Sequence, residues 1–154
     1  MILVDGHNLI GRGLRLPLDR EAEGRRRVVE RLGAWASGRR EPVVVVFDGD
    51  RAGGAKARRV GALSVVYSPA GRTADEEILR RLGRGTPRAA TVVTSDRRLA
   101  DRARALGARV EPAEGFWARV RPAPGKGEEA EKPDPGEAEV EEWLRVFRER
   151  KKRL

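Results

Sequence analysis

The sequence predicts an α/β domain in which helices cover both faces of a central parallel sheet. Five short runs of apolar, largely β-branched residues recur along the chain, separated by segments whose apolar residues follow helical spacing. The runs are continuously apolar rather than alternating, which is typical of strands buried on both faces. The predicted strands are residues 2–4, 43–47, 63–67, 91–94 and 109–111, and the predicted helices are residues 21–36, 74–82 and 97–106.

The chain divides into a domain over residues 1–118, a linker over 119–136 and a helix over 137–154. The linker is predicted because residues 121–136 are rich in proline, glycine and charged side chains. In the last segment Val140, Trp143, Leu144 and Phe147 have i, i+3, i+4, i+7 spacing, which indicates an amphipathic helix. This helix either packs back on its own domain or docks a partner, and the sequence leaves both options open.

Composition restricts the classes of function. The chain has 33 Lys and Arg residues against 24 Asp and Glu residues, a formal charge of +9, which favours a polyanionic partner such as nucleic acid or simply a soluble surface. It has no cysteine, which excludes disulfides, thiolate metal sites and cysteine nucleophiles. No apolar stretch is long enough to cross a bilayer, and no signal segment is recognisable, so we expect a cytoplasmic protein.

Acidic residues follow most of the predicted strands. Because ligands bind at the carboxyl ends of the strands in open α/β sheets, these acids are expected to converge at one edge. Each acid also has an ordinary structural explanation, such as a capping box for Thr73 with Glu76, a helix cap for Asp96 or a turn for Asp48. The acids are Asp5, Asp48 with Asp50 beyond it, Asp75, Glu76 and Asp96.

Convergent carboxylates repel one another and raise each other's pKa unless a cation lies between them. Oxygen ligands without cysteine, and with His7 as the single histidine of the chain, suit Mg²⁺ or Mn²⁺ better than zinc. Such ions neutralise charge on a reacting phosphodiester. A hard metal site in a basic protein therefore predicts phosphodiester hydrolysis.

Four segments together resemble the NYN domain family, and its YacP-like branch most of all. They are ILVDGHNLI, VVVVFDGD, VVYSPAGRTADEEIL and TVVTSDRRLADRARALGARV, in family order over residues 1–117. The resemblance implies a PIN-like three-layer fold with strand order 3-2-1-4-5. It also implies RNA cleavage with Mg²⁺ or Mn²⁺ to give a 5′-phosphate and a 3′-hydroxyl, and for this branch an endoribonuclease that acts on mRNA at the ribosome.

The resemblance also assigns roles to individual positions. The expected catalytic residues are Asp5, Asp75 and Asp96, with Asn8 orienting the first carboxylate or a water through its amide. Asp48 and Glu76 join the three aspartates as candidate metal ligands. Family members more often have an aromatic residue where this chain has His7, which argues against a base-stacking role at this position. From the residues themselves we expect His7 to be a surface or RNA-contacting residue rather than a ligand.

Basic residues near the acids are the candidate RNA contacts. The Gly-rich, basic segment 50–59 is predicted to be a loop that clamps a phosphate backbone. Because aromatic residues are scarce, we expect recognition of the RNA backbone more than of its bases. The candidates are Arg12, Arg15, Arg51, Lys56, Arg58, Arg59, Arg72, Arg97 and Arg98.

Three other functions compete with a nuclease. One is a non-catalytic RNA- or ribosome-binding adaptor of the same fold, which would bind RNA without Mg²⁺. Another is a phosphatase, since Asp48-Gly49-Asp50 forms a D-x-D motif after a strand, although no convincing partner lysine accompanies it. The last is a toxin of the related PIN family.

Overall fold

The structure, a computed structural model, describes residues 1–49 and 56–122. Its centre is a six-stranded mixed sheet with the spatial order β3-β4-β2-β1-β5-β6. All neighbouring pairs are parallel except β3 and β4, which are antiparallel. The strands are β1 (Ile2–Asp5), β2 (Val43–Phe47), β3 (Lys56–Val60), β4 (Leu63–Tyr67), β5 (Thr91–Val93) and β6 (Arg109–Glu111).

Five helices are described, and the four longer ones lie along the crossovers and after the last strand. A short α1 leads directly into a π-helical turn over Leu9–Leu14. The helices are α1 (Gly6–Asn8), α2 (Glu21–Ala36), α3 (Ala74–Arg84), α4 (Arg97–Ala105) and α5 (Ala113–Val120).

The central strands are buried on both faces, which explains their continuous apolar runs. Val43, Val45 and Phe47 of β2 belong to one core cluster with residues of α2 and α5. Val44 and Val46 of the same strand belong to a second cluster with residues of α3 and α4. The alternating strand geometry therefore supplies both cores from one short segment, and the predicted three-layer α/β fold is confirmed.

Two segments differ from the sequence-based expectation. Residues 56–59 were expected in a loop, and this prediction is wrong because they belong to β3, whose Arg58 pairs with Val65 and Arg59 with Ser64. An edge strand is held by backbone hydrogen bonds and favours charged side chains, so it lacks an apolar signal. Helix α5, which was not predicted, buries Ala113, Phe116 and Val120.

The chain divides into a unit over Met1–Arg121 and a unit over Pro122–Leu154. The first unit extends slightly beyond the predicted boundary at residue 118. Most of the predicted linker and all of the predicted C-terminal helix lie outside the described residues. Within residues 1–49 and 56–122, no helix has both the length and the apolar character that crossing a membrane requires.

Candidate active site

The sheet topology brings the predicted acids to one edge. β1 pairs with β2 on one side and with β5 on the other. The strands that follow β1 in the sequence are therefore added on one side of it up to β4 and on its other side from β5 onward. A crevice at the carboxyl ends of the strands is expected at such a switch point. Asp5 is the last residue of β1, Asp48 follows β2 directly, and Asp96 follows β5 after two residues. Without the added strand β3, the order is the predicted 3-2-1-4-5.

Asp5 is the buried acid of the site, with 5% of its surface exposed. Its Oδ2 accepts a hydrogen bond from the Thr94 hydroxyl at 3.0 Å, and its Oδ1 accepts one from the backbone N–H of Asn8 at 3.4 Å. Burial raises the pKa of Asp5 to about 7, and the charges of Asp75 and Asp96 act in the same direction. The hydrogen bonds from Thr94 and Asn8 lower this pKa but do not offset the burial.

Asp75 is half-buried near the start of α3. Burial raises its pKa, and so do the charges of Asp96 and Asp48. Among the described residues no group donates a hydrogen bond to its carboxylate. Asp75 is therefore an acid that the fold brings towards other acids without giving it a structural partner.

Thr94 connects the first and last acids of the site. Its hydroxyl donates to Asp5 and accepts the backbone N–H of Asp96 at 3.0 Å. Oδ1 of Asp96 caps α4, since it accepts the N–H groups of Arg98 at 2.9 Å and Leu99 at 3.3 Å. Its Oδ2 carries no hydrogen bond from a described residue, so Asp96 combines a cap with one oxygen that is open to a ligand.

The other two predicted ligands have structural partners. Oδ1 of Asp48 accepts the backbone N–H of Ala74 at 2.7 Å, which fixes the start of α3 one residue before Asp75. Glu76 forms a capping box with Thr73, as the ordinary explanation of this pair proposes. Hydrogen bonds from Thr73 lower the pKa of Glu76. Asp48 is therefore well placed to position Asp75, whereas Glu76 serves the helix.

His7 links three elements around the site. Its Nε2 accepts the backbone N–H of Asp48 at 2.9 Å, and its Nδ1 lies 2.5 Å from Oε1 of Glu21 on α2. Its ring packs edge-on against Phe47, with the ring centroids 5.7 Å apart. His7 therefore connects α2 to the Asp48 loop, while 30% of its side chain remains exposed at the surface.

Asn8 has a fixed orientation. Its Oδ1 accepts the backbone N–H of Ser95 at 2.5 Å, so its amide NH₂ group faces away from that contact. The Ser95 hydroxyl donates to Glu114 and accepts the N–H of Ala113 at 2.9 Å, which connects this loop to α5. The hydrogen bond from Ser95 lowers the pKa of Glu114. Sequence reasoning missed Thr94 and Ser95, because a short polar side chain after a strand gives no pattern, and it missed Glu114 because helix α5 was not predicted.

The donor set fits a hard divalent cation by its chemistry. The charged groups that raise one another's pKa here are carboxylates, which are ligands that such ions prefer. Burial and these neighbouring charges together keep the pKa values of Asp5 and Asp75 raised, so their negative charges remain incompletely compensated. Yet in the part of the chain that the structure describes, no three His, Cys, Asp or Glu side chains lie close enough together to hold an ion. The acids share an edge and an electrostatic field, but they do not form a preassembled ligand shell.

The predicted RNA contacts fall into separate groups. Arg102 and Arg98 on α4 lower the pKa of Asp75, which opposes the effect of burial on that pKa. Sequence reasoning missed Arg102, although its i+4 spacing from Arg98 places both on one face of the helix. Arg12 and Arg15 act on Glu114. Arg58 and Arg59 are exposed on β3, Arg97 is exposed at the start of α4, and Arg72 bonds to Glu77; Arg51 and the side chain of Lys56 lie outside the described residues.

Comparison with known proteins agrees with this architecture. A model of the YacP-like NYN domain family matches residues 2–150. The structure is similar to the crystal structure of Rae1 (YacP) from Bacillus subtilis, with a TM-score of 0.65 and 25% identity over 99% of this chain and 94% of that one. It is also similar to the W164L mutant of the same protein, with a TM-score of 0.58 and 24% identity over 77% and 73% of the two chains. A search of curated proteins finds no match.

Proposed function

Because the chain belongs to the YacP-like NYN domain family, a branch of the NYN/PIN-like nucleases, we propose that it is a metal-dependent endoribonuclease that hydrolyses RNA phosphodiester bonds. The proposed substrate is mRNA on the ribosome, and the proposed cofactor is Mg²⁺ or Mn²⁺. The RNA assignment is supported by the basic charge of the chain and by the arginines that flank the acids.

The observation that carries this proposal is the electrostatic coupling of Asp5, Asp75 and Asp96. These residues come from three separate parts of the sequence, yet the charges of Asp75 and Asp96 help to raise the pKa of Asp5, and the charge of Asp96 also helps to raise the pKa of Asp75. A fold that only needed these positions for stability could replace them with uncharged residues. A site that takes a cation needs the charges, which is a functional reason to retain them.

Asp5, Asp75 and Asp96 would hold the ion. When bound, a divalent cation supplies charge neutralisation at the phosphodiester and makes water a better nucleophile. The chain itself supplies the orientation: Thr94 holds Asp5, and Asp48 fixes the helix start that carries Asp75. Asn8 has its amide NH₂ left to donate to a phosphate oxygen, since Ser95 occupies its carbonyl oxygen.

A specific observation favours a second candidate, the non-catalytic adaptor. The described residues contain no group of three side chains close enough to hold a metal ion, and most of the acids serve as helix caps. An adaptor with this surface would bind RNA through its arginines alone. Its binding would need no Mg²⁺ and would be unaffected by Asp96→Asn.

The two candidates are separated by a cleavage assay on translating ribosomes and on naked mRNA, each with Mg²⁺ or EDTA. Asp75→Asn is the cleanest probe, because its carboxylate has no hydrogen-bond partner among the described residues to lose. Asp96→Asn keeps the helix cap, since asparagine caps as well as aspartate. Asp101→Asn is the matched control, because Asp101 is an exposed acid on the same helix as the Asp96 cap.

The endoribonuclease proposal expects cleavage by the wild type and by Asp101→Asn with Mg²⁺, and loss of cleavage in EDTA and in both site variants. Cleavage on ribosomes but not on naked mRNA assigns the ribosome as the setting. Absence of cleavage in both settings contradicts the proposal. RNA binding that persists in EDTA and in Asp96→Asn, without cleavage, assigns the adaptor instead.

A further inference from the structure

Within residues 1–49 and 56–122, Glu77 is the one fully buried charged side chain that the candidate site does not use. It lies on α3 two residues after Asp75, and none of its side chain is exposed. Residues two apart on a helix point in different directions, so Glu77 and Asp75 lie on different flanks of α3. A buried carboxylate outside the acid cluster needs its own explanation.

Three arginines surround Glu77 and saturate it. Oε1 accepts from Nη1 of Arg72 at 3.1 Å and from Nε of Arg80 at 3.2 Å. Oε2 accepts from Nη2 of Arg80 at 2.8 Å and from Nε of Arg81 at 2.9 Å. Burial raises the pKa of Glu77, but the hydrogen bonds from Arg80, Arg72 and Arg81 lower it to about 2. The carboxylate is therefore ionised at neutral pH.

The arginines keep much of their donor capacity. Their side chains are 29% to 39% exposed, so each guanidinium reaches solvent while one edge is held by Glu77. The remaining nitrogens of the three groups donate to no other described residue. Three guanidinium groups around one carboxylate leave a local excess of two positive charges, although Glu76 also interacts with Arg72.

The arrangement is a poor device for stability alone. Replacing a buried ion cluster with well-packed apolar residues often leaves a protein as stable or more so, because the cluster must be desolvated. What the buried carboxylate does provide is a fixed position for three flexible cations, which lowers the entropy lost when they bind an anion. Planar guanidinium groups match phosphate geometry better than lysine does.

We infer that the Glu77-centred trio of Arg72, Arg80 and Arg81 is a phosphate-binding subsite for the RNA strand, on the flank of α3 that Asp75 does not occupy. This inference rests on the proposed function, since it names how the same substrate is held. The trio binds backbone phosphates away from the bond that is cut and carries no preference for base sequence. It therefore contributes to RNA affinity and to its salt dependence.

The test is the salt dependence of binding, measured by fluorescence anisotropy with a labelled single-stranded RNA oligonucleotide. EDTA is present, so that no cleavage is required. Each phosphate contact on single-stranded RNA contributes about 0.7 to the slope of log affinity against log salt. We expect Arg80→Gln with Arg81→Gln to reduce the slope by about 1.4 and to weaken binding about tenfold for each arginine.

The matched control is Arg84→Gln with Arg88→Gln, which removes the same charge from the end of α3 and the following turn without touching Glu77. It should leave the slope nearly unchanged. An equal reduction in both double variants would mean that RNA responds only to overall charge, and this overturns the subsite. An unchanged slope in Arg80→Gln with Arg81→Gln also overturns it, as does a wild type that does not bind RNA.

Should the double variant fail to fold, Arg81→Gln alone keeps three of the four hydrogen bonds to Glu77 and is expected to reduce the slope by about 0.7. Circular dichroism melts establish which variants are folded. Binding through the trio without any cleavage by the wild type would contradict the endoribonuclease and leave the subsite intact. Cleavage by the wild type with an unchanged slope in the variants would support the endoribonuclease and overturn the subsite.

Discussion

Replacing Asp5 with asparagine should stabilise the metal-free protein above neutral pH. Asp5 is buried, and its pKa is raised to about 7, first by that burial and then by the charges of Asp75 and Asp96. At pH 8 the carboxyl is therefore ionised in surroundings that disfavour its charge. Asparagine has nearly the same shape without the charge, so the substitution removes this cost.

The sign and size of the effect follow from the pKa values of the folded and unfolded states. The ordinary value for Asp5 is 3.8. Between pH 4 and pH 7 the folded protein keeps a proton that the unfolded chain has released, so wild-type stability falls as pH rises through this window. A shift of about three pH units, at about 1.4 kcal/mol each, sets an upper limit of about 4 kcal/mol.

Part of this gain is offset by the hydrogen bond that the Thr94 hydroxyl donates to Oδ2 of Asp5 at 3.0 Å. An asparagine NH₂ in that position cannot accept it, which costs about 1 kcal/mol. We therefore expect Asp5→Asn to be about 2–3 kcal/mol more stable than the wild type at pH 8. At pH 4 it should be equal to the wild type or slightly less stable.

The assay is urea unfolding followed by tryptophan fluorescence in EDTA, from pH 4 to pH 8. Asp101→Asn, an acid with 67% of its side chain exposed, is the control and should follow the wild type. Adding Mg²⁺ at pH 8 should stabilise the wild type more than Asp5→Asn, because a bound cation offsets the repulsion between the charge of Asp5 and those of Asp75 and Asp96. If Asp5→Asn is destabilised equally at pH 4 and pH 8, Asp5 does not carry an unfavourable charge and the reasoning is refuted.

Three further substitutions test how the site is built. Gly6→Ala places a Cβ atom 2.3 Å from the Phe47 ring, so it should cost about 1–3 kcal/mol in urea unfolding; a wild-type midpoint would contradict this packing. Thr73→Ala removes the capping box of α3 and should cost about 1 kcal/mol, seen as a lower melting temperature, unless another residue caps the helix. Arg102→Gln removes the positive charge that lowers the pKa of Asp75 most, so this carboxyl should titrate at a higher pH by carbon-13 NMR. An unchanged titration would contradict the interaction between Arg102 and Asp75.

The parts of the fold that could be predicted are those in which burial alone determines the type of side chain. Residues 43–47 must be apolar on both faces, since both cores need them, and this makes the strand visible in the sequence. The strand order also follows, because a parallel sheet with acids at its switch point matches a known family. Strand β3 was missed because Ala57, Arg58 and Arg59 are exposed, so the backbone pairing with β4 defines the strand rather than an apolar run.

Two helical segments were missed because tertiary packing overrides their intrinsic preferences. The segment after Asp5 contains glycines at positions 6, 11 and 13, which disfavour a helix. It is helical because Leu9 and Ile10 are buried in the core and the Asp5 side chain caps its start. Helix α5 contains Gly115 and is secured by the buried ring of Phe116. Such packing depends on residues distant in the chain.

The identity of the acids could be predicted, but their partners could not. Four acids follow strands or open a helix, and a single sequence is enough to notice this. That Asp48 caps Ala74, and that His7 accepts the N–H of Asp48, depends on how two loops meet. Gly49 shows how tightly they meet, since a Cβ atom there would lie 1.6 Å from the carbonyl oxygen of Ser68.

The capping contacts explain how several acids tolerate one another at one edge of the sheet. Asp5 caps α1, Asp48 accepts the first N–H of α3, and Asp96 caps α4. Helix N-termini carry partial positive charge, so each carboxylate is partly compensated by the helix that it starts. This compensation is incomplete, because the pKa values of Asp5 and Asp75 remain raised. Asp75 caps none of the described helices, so a cation or an arginine of α4 must supply its missing positive charge.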